Sequence, residues 1–234
     1  MNSFHEKYCS IGGQFLTSIE QFVLKSQQVK ALVFDWDGVF TDGTKRANGE
    51  SSFSEVDSMG INLLRFSYFL KYGQSIPCFI ITGMHNKTAI EFAEREKFQA
   101  VFMNAKKKKV ALQYIHENYH IGSNEIAFFF DDVLDLDLAS KVNLRILLGR
   151  NSNPAFNSFI KKNQLADYQT ANKGGFEGIR ESAELIMESI GKFDEALSGR
   201  INFNENYTQY WQHRQNQKTL LFEIKDEEVL TFRA

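Results

Sequence analysis

An α/β domain built on a doubly wound parallel sheet is predicted by two features of this sequence. Five short apolar runs recur, at 30–34 (KALVF), 76–81 (IPCFII), 100–103 (AVFM), 126–130 (IAFFF) and 144–148 (LRILL). They are rich in Val, Ile and Phe and mostly unbroken, as in strands covered on both faces. Segments of helical period separate them, roughly 58–72, 86–97, 107–119 and 133–141, and strand–helix alternation of this kind winds a parallel sheet.

The remaining segments flank that core. Residues 1–29 read as an N-terminal helix. Residues 39–56 (VFTDGTKRANGESSFSEV) hold turn signals at Asp42-Gly43 and Asn48-Gly49 and little helical period. Asn-Gly between short extended pieces signals a hairpin, so a β-hairpin flap is expected there. A further helix near 175–190 closes a catalytic domain spanning 30–190. Residues 191–234 form a C-terminal extension without an assigned role, and its end (TLLFEIKDEEVLTFRA) reads either as two short strands around KDEE or as a helix. With Pro77 and Pro154 the only prolines, no stiff linker divides the chain.

Composition narrows the function. A hydrophobic fraction of 43% and an aromatic fraction of 14% exclude a disordered chain. The 27 Lys+Arg against 29 Asp+Glu give no basic surface for nucleic acid or an anionic membrane. Two cysteines, Cys9 and Cys78, make no disulfide framework and suit a reducing compartment. The N-terminus lacks the basic start and long apolar stretch of a signal peptide, and no run approaches a membrane span. A soluble, cytoplasmic protein is expected.

Three of the predicted strands end in an oxygen-bearing side chain: Asp35 in FDWDGVFTDG, Thr82 in ITG, and Asp131 in FFFDDVLD. Open α/β sheets bind ligands at the carboxyl ends of their strands, so separate loops deliver these groups to one crevice. Asp35 can attack phosphorus to form an aspartyl-phosphate. Asp37 can protonate the leaving oxygen and then deprotonate water. Acidic residues Asp131, Asp132 and Asp135 would repel a phosphate unless a hard cation intervened, and Mg²⁺ is the expected ion. For Asp132 and Asp135, capping the following helix is an equal reading. Thr82 and Gly83 can present a hydroxyl and N–H groups to phosphate oxygens. One lysine of the run 106–109 can offset charge in the transition state. His116 and His120 have zinc-compatible spacing but no third ligand, and Tyr207, Tyr210 and Trp211 read as packing aromatics.

These motifs resemble those of capless (C0) phosphatases of the haloacid dehalogenase (HAD) superfamily. FDWDGVFTDG is similar to the first HAD motif; ITG, the lysine run, DDVLD and ADYQTANKGGFEGIRE follow in order. The likeness spans roughly 28–190 and is to the branch holding 3-deoxy-manno-octulosonate 8-phosphate and acylneuraminate-9-phosphate phosphatases. It implies a HAD-like Rossmannoid fold, with Asp35 as nucleophile and Mg²⁺ ligand. Asp37 would be general acid/base and a ligand through its carbonyl, and Asp131 the third ligand, with Asp132 and Asp135 supporting. Thr82 and Lys108 would bind the phosphoryl group, Lys107 and Lys109 being the other candidates. The resemblance further implies that the flap at 39–56 builds the core of a homotetramer and walls neighbouring active sites.

Three departures bear on substrate choice. Met84 stands where Arg is frequent, Phe130 where Gly precedes the acidic pair, and Phe176 where Arg is often seen. The resulting expectation is hydrolysis of a sugar phosphate of the octulosonate or nonulosonate type. The competing readings are a catalytically weakened domain kept for oligomerisation or partner binding, and a mutase that passes phosphate to a sugar.

Overall fold

The computed structural model describes residues 3–46, 49 and 51–232. Among them the elements are α1 (Ser3–Ser10), β1 (Gln14–Phe15), α2 (Ile19–Gln28), β2 (Ala31–Phe34), α3 (Glu55–Tyr72), β3 (Cys78–Ile81), α4 (Lys87–Glu96), β4 (Ala100–Met103), α5 (Lys109–Tyr119), β5 (Ile126–Phe130), α6 (Leu136–Ala139), β6 (Leu144–Leu147), α7 (Pro154–Lys162), β7 (Tyr168–Gln169), α8 (Gly178–Ser189), α9 (Phe193–Asn202), α10 (Glu205–Gln215), β8 (Leu220–Lys225) and β9 (Glu228–Thr231). No helix among the described residues is long and apolar enough to cross a membrane.

The strands form one sheet in the order β1-β7-β6-β5-β2-β3-β4-β8-β9, parallel except for the outermost pair at each edge. Alternate residues of β2 show why its run is unbroken: Leu32 and Phe34 enter a core under α2, α3, α4 and α8, while Ala31 and Val33 enter a second core under α5, α6 and α7. From β2 the chain winds outward through β3 and β4, then returns to β5 on the other side of β2 and winds outward through β6 and β7. Two neighbouring strands whose following connections diverge leave a crevice beyond their carboxyl ends. Here those strands are β2 and β5.

Below that crevice lies an aromatic cluster. Phe34 stacks on Phe129 across the β2–β5 seam at 4.6 Å between centroids, and Phe40 packs on Phe92 at 4.7 Å and on Trp36 at 5.3 Å. Both Trp36 and Phe40 are fully buried, so the turn after β2 is clamped from beneath.

Several expectations are revised. In place of one helix over 1–29, residues 3–28 form two helices flanking β1, which pairs antiparallel with β7; a two-residue strand leaves no periodicity to read. The hairpin expected over 39–56 contains no strand among its described residues, and Asn48 of its expected turn lies outside them. Its start is instead a tight turn in which the buried Thr41 hydroxyl accepts from the N–H groups of Gly38 (3.3 Å) and Gly43 (3.2 Å). The Phe130 ring packs on Phe128 in the second core.

The end of the chain does form two strands. Helices α9 and α10 pack on α3, where the Tyr207 hydroxyl donates to Asn62 Oδ1 (3.0 Å), and β8 then pairs parallel with β4. Arg214 ion-pairs with Glu96 at the end of α4, and Arg65 donates to the carbonyls of Glu96 (2.6 Å) and Lys97 (3.1 Å). Two guanidinium groups thus satisfy the carbonyl end of α4, where a cation is favoured. The extension is built into the sheet.

Candidate active site

At the end of β2 the Asp35 N–H continues the ladder to the Phe129 carbonyl (3.0 Å), which fixes Asp35 at the seam with β5. Gly38 follows with φ +87°, and a Cβ there would lie 2.0 Å from Asp131 Oδ2. Only glycine tolerates both that conformation and that approach. The segment after β7 packs against the same turn: a Cβ on Gly174 would lie 1.9 Å from the Gly38 carbonyl oxygen. The GGFEG stretch is therefore a support for the Asp-Trp-Asp turn.

One carboxylate oxygen from each of Asp35, Asp131 and Asp135 lies within 4.8 Å of the others, all three residues buried. The Lys108 ammonium, itself buried, reaches between Asp35 and Asp135 and lies 2.5 Å from Asp135 Oδ1. Asp135 Oδ2 also accepts from the N–H of Asp132 (3.2 Å) and more weakly from that of Asp131 (3.4 Å). Arg150, from the loop after β6, donates to Asp131 Oδ2 at 2.5 Å. These groups, with Asp37, Gly43, Gly83, Met84 and Leu134, line a cavity of about 240 Å³.

Placement separates the candidates. Lys108 points inward, whereas Lys106, Lys107 and Lys109 are exposed and Lys107 pairs with Glu227 of the extension. Asp132 is an exposed helix cap whose Oδ1 accepts from the Val133 N–H (2.7 Å), while Asp135 joins the acidic cluster. Thr82 is buried behind the wall; its hydroxyl oxygen accepts from Asn86 Nδ2 (2.8 Å), which leaves its own proton to donate. Asp37 is half-buried, and its Oδ2 is held by Asn86 (2.9 Å) and Lys45 (3.1 Å). His116 Nδ1 donates to the Ile121 carbonyl (3.2 Å), and among the described residues the two histidines build no metal cluster.

Sequence reading missed Arg150, Lys45 and Asn86. The first two supply cations where Met84 and Phe176 had suggested a deficit, and Lys173 lies 4.0 Å over the Phe176 ring. Asn86 carried one signal, its place at a helix start, and that signal pointed to capping.

Burial pushes the Asp35 carboxyl up to about 7; Lys108 opposes the shift and Asp135 adds to it. Burial pushes Asp131 up to about 8, with Asp35 and Asp135 adding to the shift and Arg150 opposing it. For Lys108, burial would favour the neutral amine, but Asp35 and Asp135 outweigh it and keep the ammonium charged. Carboxylates this crowded hold protons that a divalent cation would displace. The fit to such an ion is direct: Asp131 Oδ1 is buried with no hydrogen-bond partner. Every donor is an oxygen, as Mg²⁺ requires.

An Asp-x-Asp turn at the switch point of a doubly wound sheet, faced by a buried lysine and an acidic cluster, is the arrangement expected of a HAD-type hydrolase. No protein-family model matches the chain. It is 28% identical over 183 residues to 3-deoxy-D-manno-octulosonate 8-phosphate phosphatase KdsC of Escherichia coli K12, covering 76% of this chain and 90% of that protein. Among solved structures it is similar to a probable YrbI family phosphatase from Pseudomonas syringae (25% identity, TM-score 0.66, 78% of this chain and 98% of the other). A putative HAD subfamily III A hydrolase from Legionella pneumophila compares equally (26%, TM-score 0.66, 79% and 96%). These likenesses support a phosphatase similar to KdsC and to HAD-superfamily hydrolases.

Proposed function

We propose that the chain hydrolyses a phosphomonoester through an aspartyl-phosphate on Asp35, with Mg²⁺ bound among Asp35, Asp131 and the Asp37 backbone carbonyl. The observation that carries this reading is the convergence of Asp35, Asp131, Asp135 and Lys108 on one cavity that Asp37 also lines. Mg²⁺, when bound, would neutralise the crowded carboxylates and the phosphate they must approach.

The Asp35 oxygen not held by Lys108 forms the bond to phosphorus as the ester P–O bond breaks. The departing electron pair stays on the leaving oxygen, which takes a proton from Asp37. Water then bonds to phosphorus and gives a proton to Asp37, and cleavage of the Asp35–phosphorus bond restores the carboxylate. Lys108, fixed between two carboxylates, offsets charge without reorganising, and Thr82 and Gly83 orient the phosphoryl group.

The KdsC relative points to a sugar phosphate of the octulosonate or nonulosonate type. Arg150 at the cavity suits a substrate carboxylate. A cytoplasmic homotetramer, with the 39–56 segment between subunits, belongs to the same reading. Phosphate release from a panel of sugar phosphates, measured with and without Mg²⁺, tests it. We expect Mg²⁺-dependent release that Asp35→Asn abolishes; release surviving that change would refute the mechanism, and an isomerised product without free phosphate would indicate a mutase.

A further inference from the structure

We infer that Asn86 is a positioning residue for the general acid, with Lys45 setting the sense of its amide; this rests on the Asp35/Asp37 reading above. Asn86 precedes α4, where an Asn side chain ordinarily accepts a backbone N–H of the first turn. Here it makes no such bond. It is 1% exposed, and its Nδ2 donates instead to Asp37 Oδ2 (2.9 Å) and Thr82 Oγ1 (2.8 Å). On the other side its Oδ1 accepts from Lys45 Nζ (2.8 Å), an ammonium that also lies 3.1 Å from Asp37 Oδ2.

The two ends of an amide are easily exchanged, but not in this setting. A carboxylate only accepts and an ammonium only donates. The flipped amide would set its NH₂ against Lys45 and its carbonyl against Asp37, losing its bonds to both. Lys45 therefore orients Asn86, and Asn86 holds one oxygen of Asp37 at the wall shared with Thr82. The other oxygen, Asp37 Oδ1, is without a partner. It is the oxygen left to pass a proton to the leaving group. Neither Asn86 nor Lys45 touches the reacting atoms in this scheme; each acts through Asp37.

A misplaced general acid harms substrates in proportion to how much their leaving oxygen needs a proton. The test is kcat/KM of the Mg²⁺-loaded enzyme on p-nitrophenyl phosphate, phenyl phosphate and glycerol 2-phosphate. For Asn86→Ala we expect a loss of about 100-fold on glycerol 2-phosphate and under about 5-fold on p-nitrophenyl phosphate, the range a general acid supplies. Lys45→Met should give the same ordering with smaller losses. Asn86→Ser starts a helix as well as Asn but is too short to reach Asp37, so it should resemble Asn86→Ala. An even loss across the three substrates, or full rescue by serine, would assign Asn86 to starting α4 and overturn the inference. Turnover that survives Asp35→Asn would instead overturn the phosphatase mechanism beneath it.

Discussion

Asp57 makes a prediction that can be worked through to a number. It lies in the first turn of α3, fully buried, and its Oδ1 accepts the Arg180 N–H (2.8 Å) in the first turn of α8. Its Oδ2 has no hydrogen-bond partner. Burial pushes its carboxyl up from 3.8 to about 6, against the lowering pull of the backbone N–H groups of Arg180 and Glu177. The folded state therefore holds a proton over a pH range in which the unfolded chain has released it. Stability must fall as pH rises from about 4 to about 6 and then stay lower. A shift of about 2 units at 1.36 kcal/mol each corresponds to roughly 3 kcal/mol. Asp57→Asn removes the titration, so the wild-type-minus-variant difference in unfolding free energy should drop by about 3 kcal/mol across that range. Urea unfolding at saturating Mg²⁺, from pH 4 to pH 7.5, measures it. Subtracting the variant cancels the active-site carboxylates. A difference that is flat, or that rises with pH, would refute the assignment of a buried, poorly satisfied carboxylate.

Two further outcomes are expected. Mg²⁺ should raise the thermal midpoint, since a ligand at 100 times its Kd stabilises by about 2.7 kcal/mol; differential scanning calorimetry should show that response lost in Asp131→Asn. Gly38→Ala should abolish phosphate release and lower stability by more than about 1 kcal/mol, through the combined cost of positive φ and a Cβ driven into Asp131; activity and melting measured together check it.

What the sequence made legible follows from how strongly each feature is determined locally. The runs at 31–34 and 126–130 read as strands because both faces of a central strand are buried, leaving no polar residue to blur the signal. Asp35 and Asp131 were findable because a carboxylate directly after such a run has few structural reasons to be there. Strand β8 was left open because it is buried on one face only, through Phe222 and Ile224, and such a stretch also suits a helix. Helix α7 was passed over although Asn153 and Pro154 mark its start, because its apolar face is short. Arg150 and Lys45 could not be picked from the other cations: their roles come from where a loop lands, which no local pattern encodes. Asp132 and Asp135 show the same limit, since only the folded loop decides which caps and which turns inward.

The placement of β8 bears on how this protein is made. Strand β4 has β3 on one side from early in the chain, but its other neighbour is supplied by residues 220–223, some 120 positions later. During synthesis β4 is an open edge until residues 220–223 have left the ribosome, and such edges are where nascent chains pair wrongly. Pairing of β4 on its second side, and with it the anchoring of α4 behind the active site, waits for the whole stretch between β4 and β8.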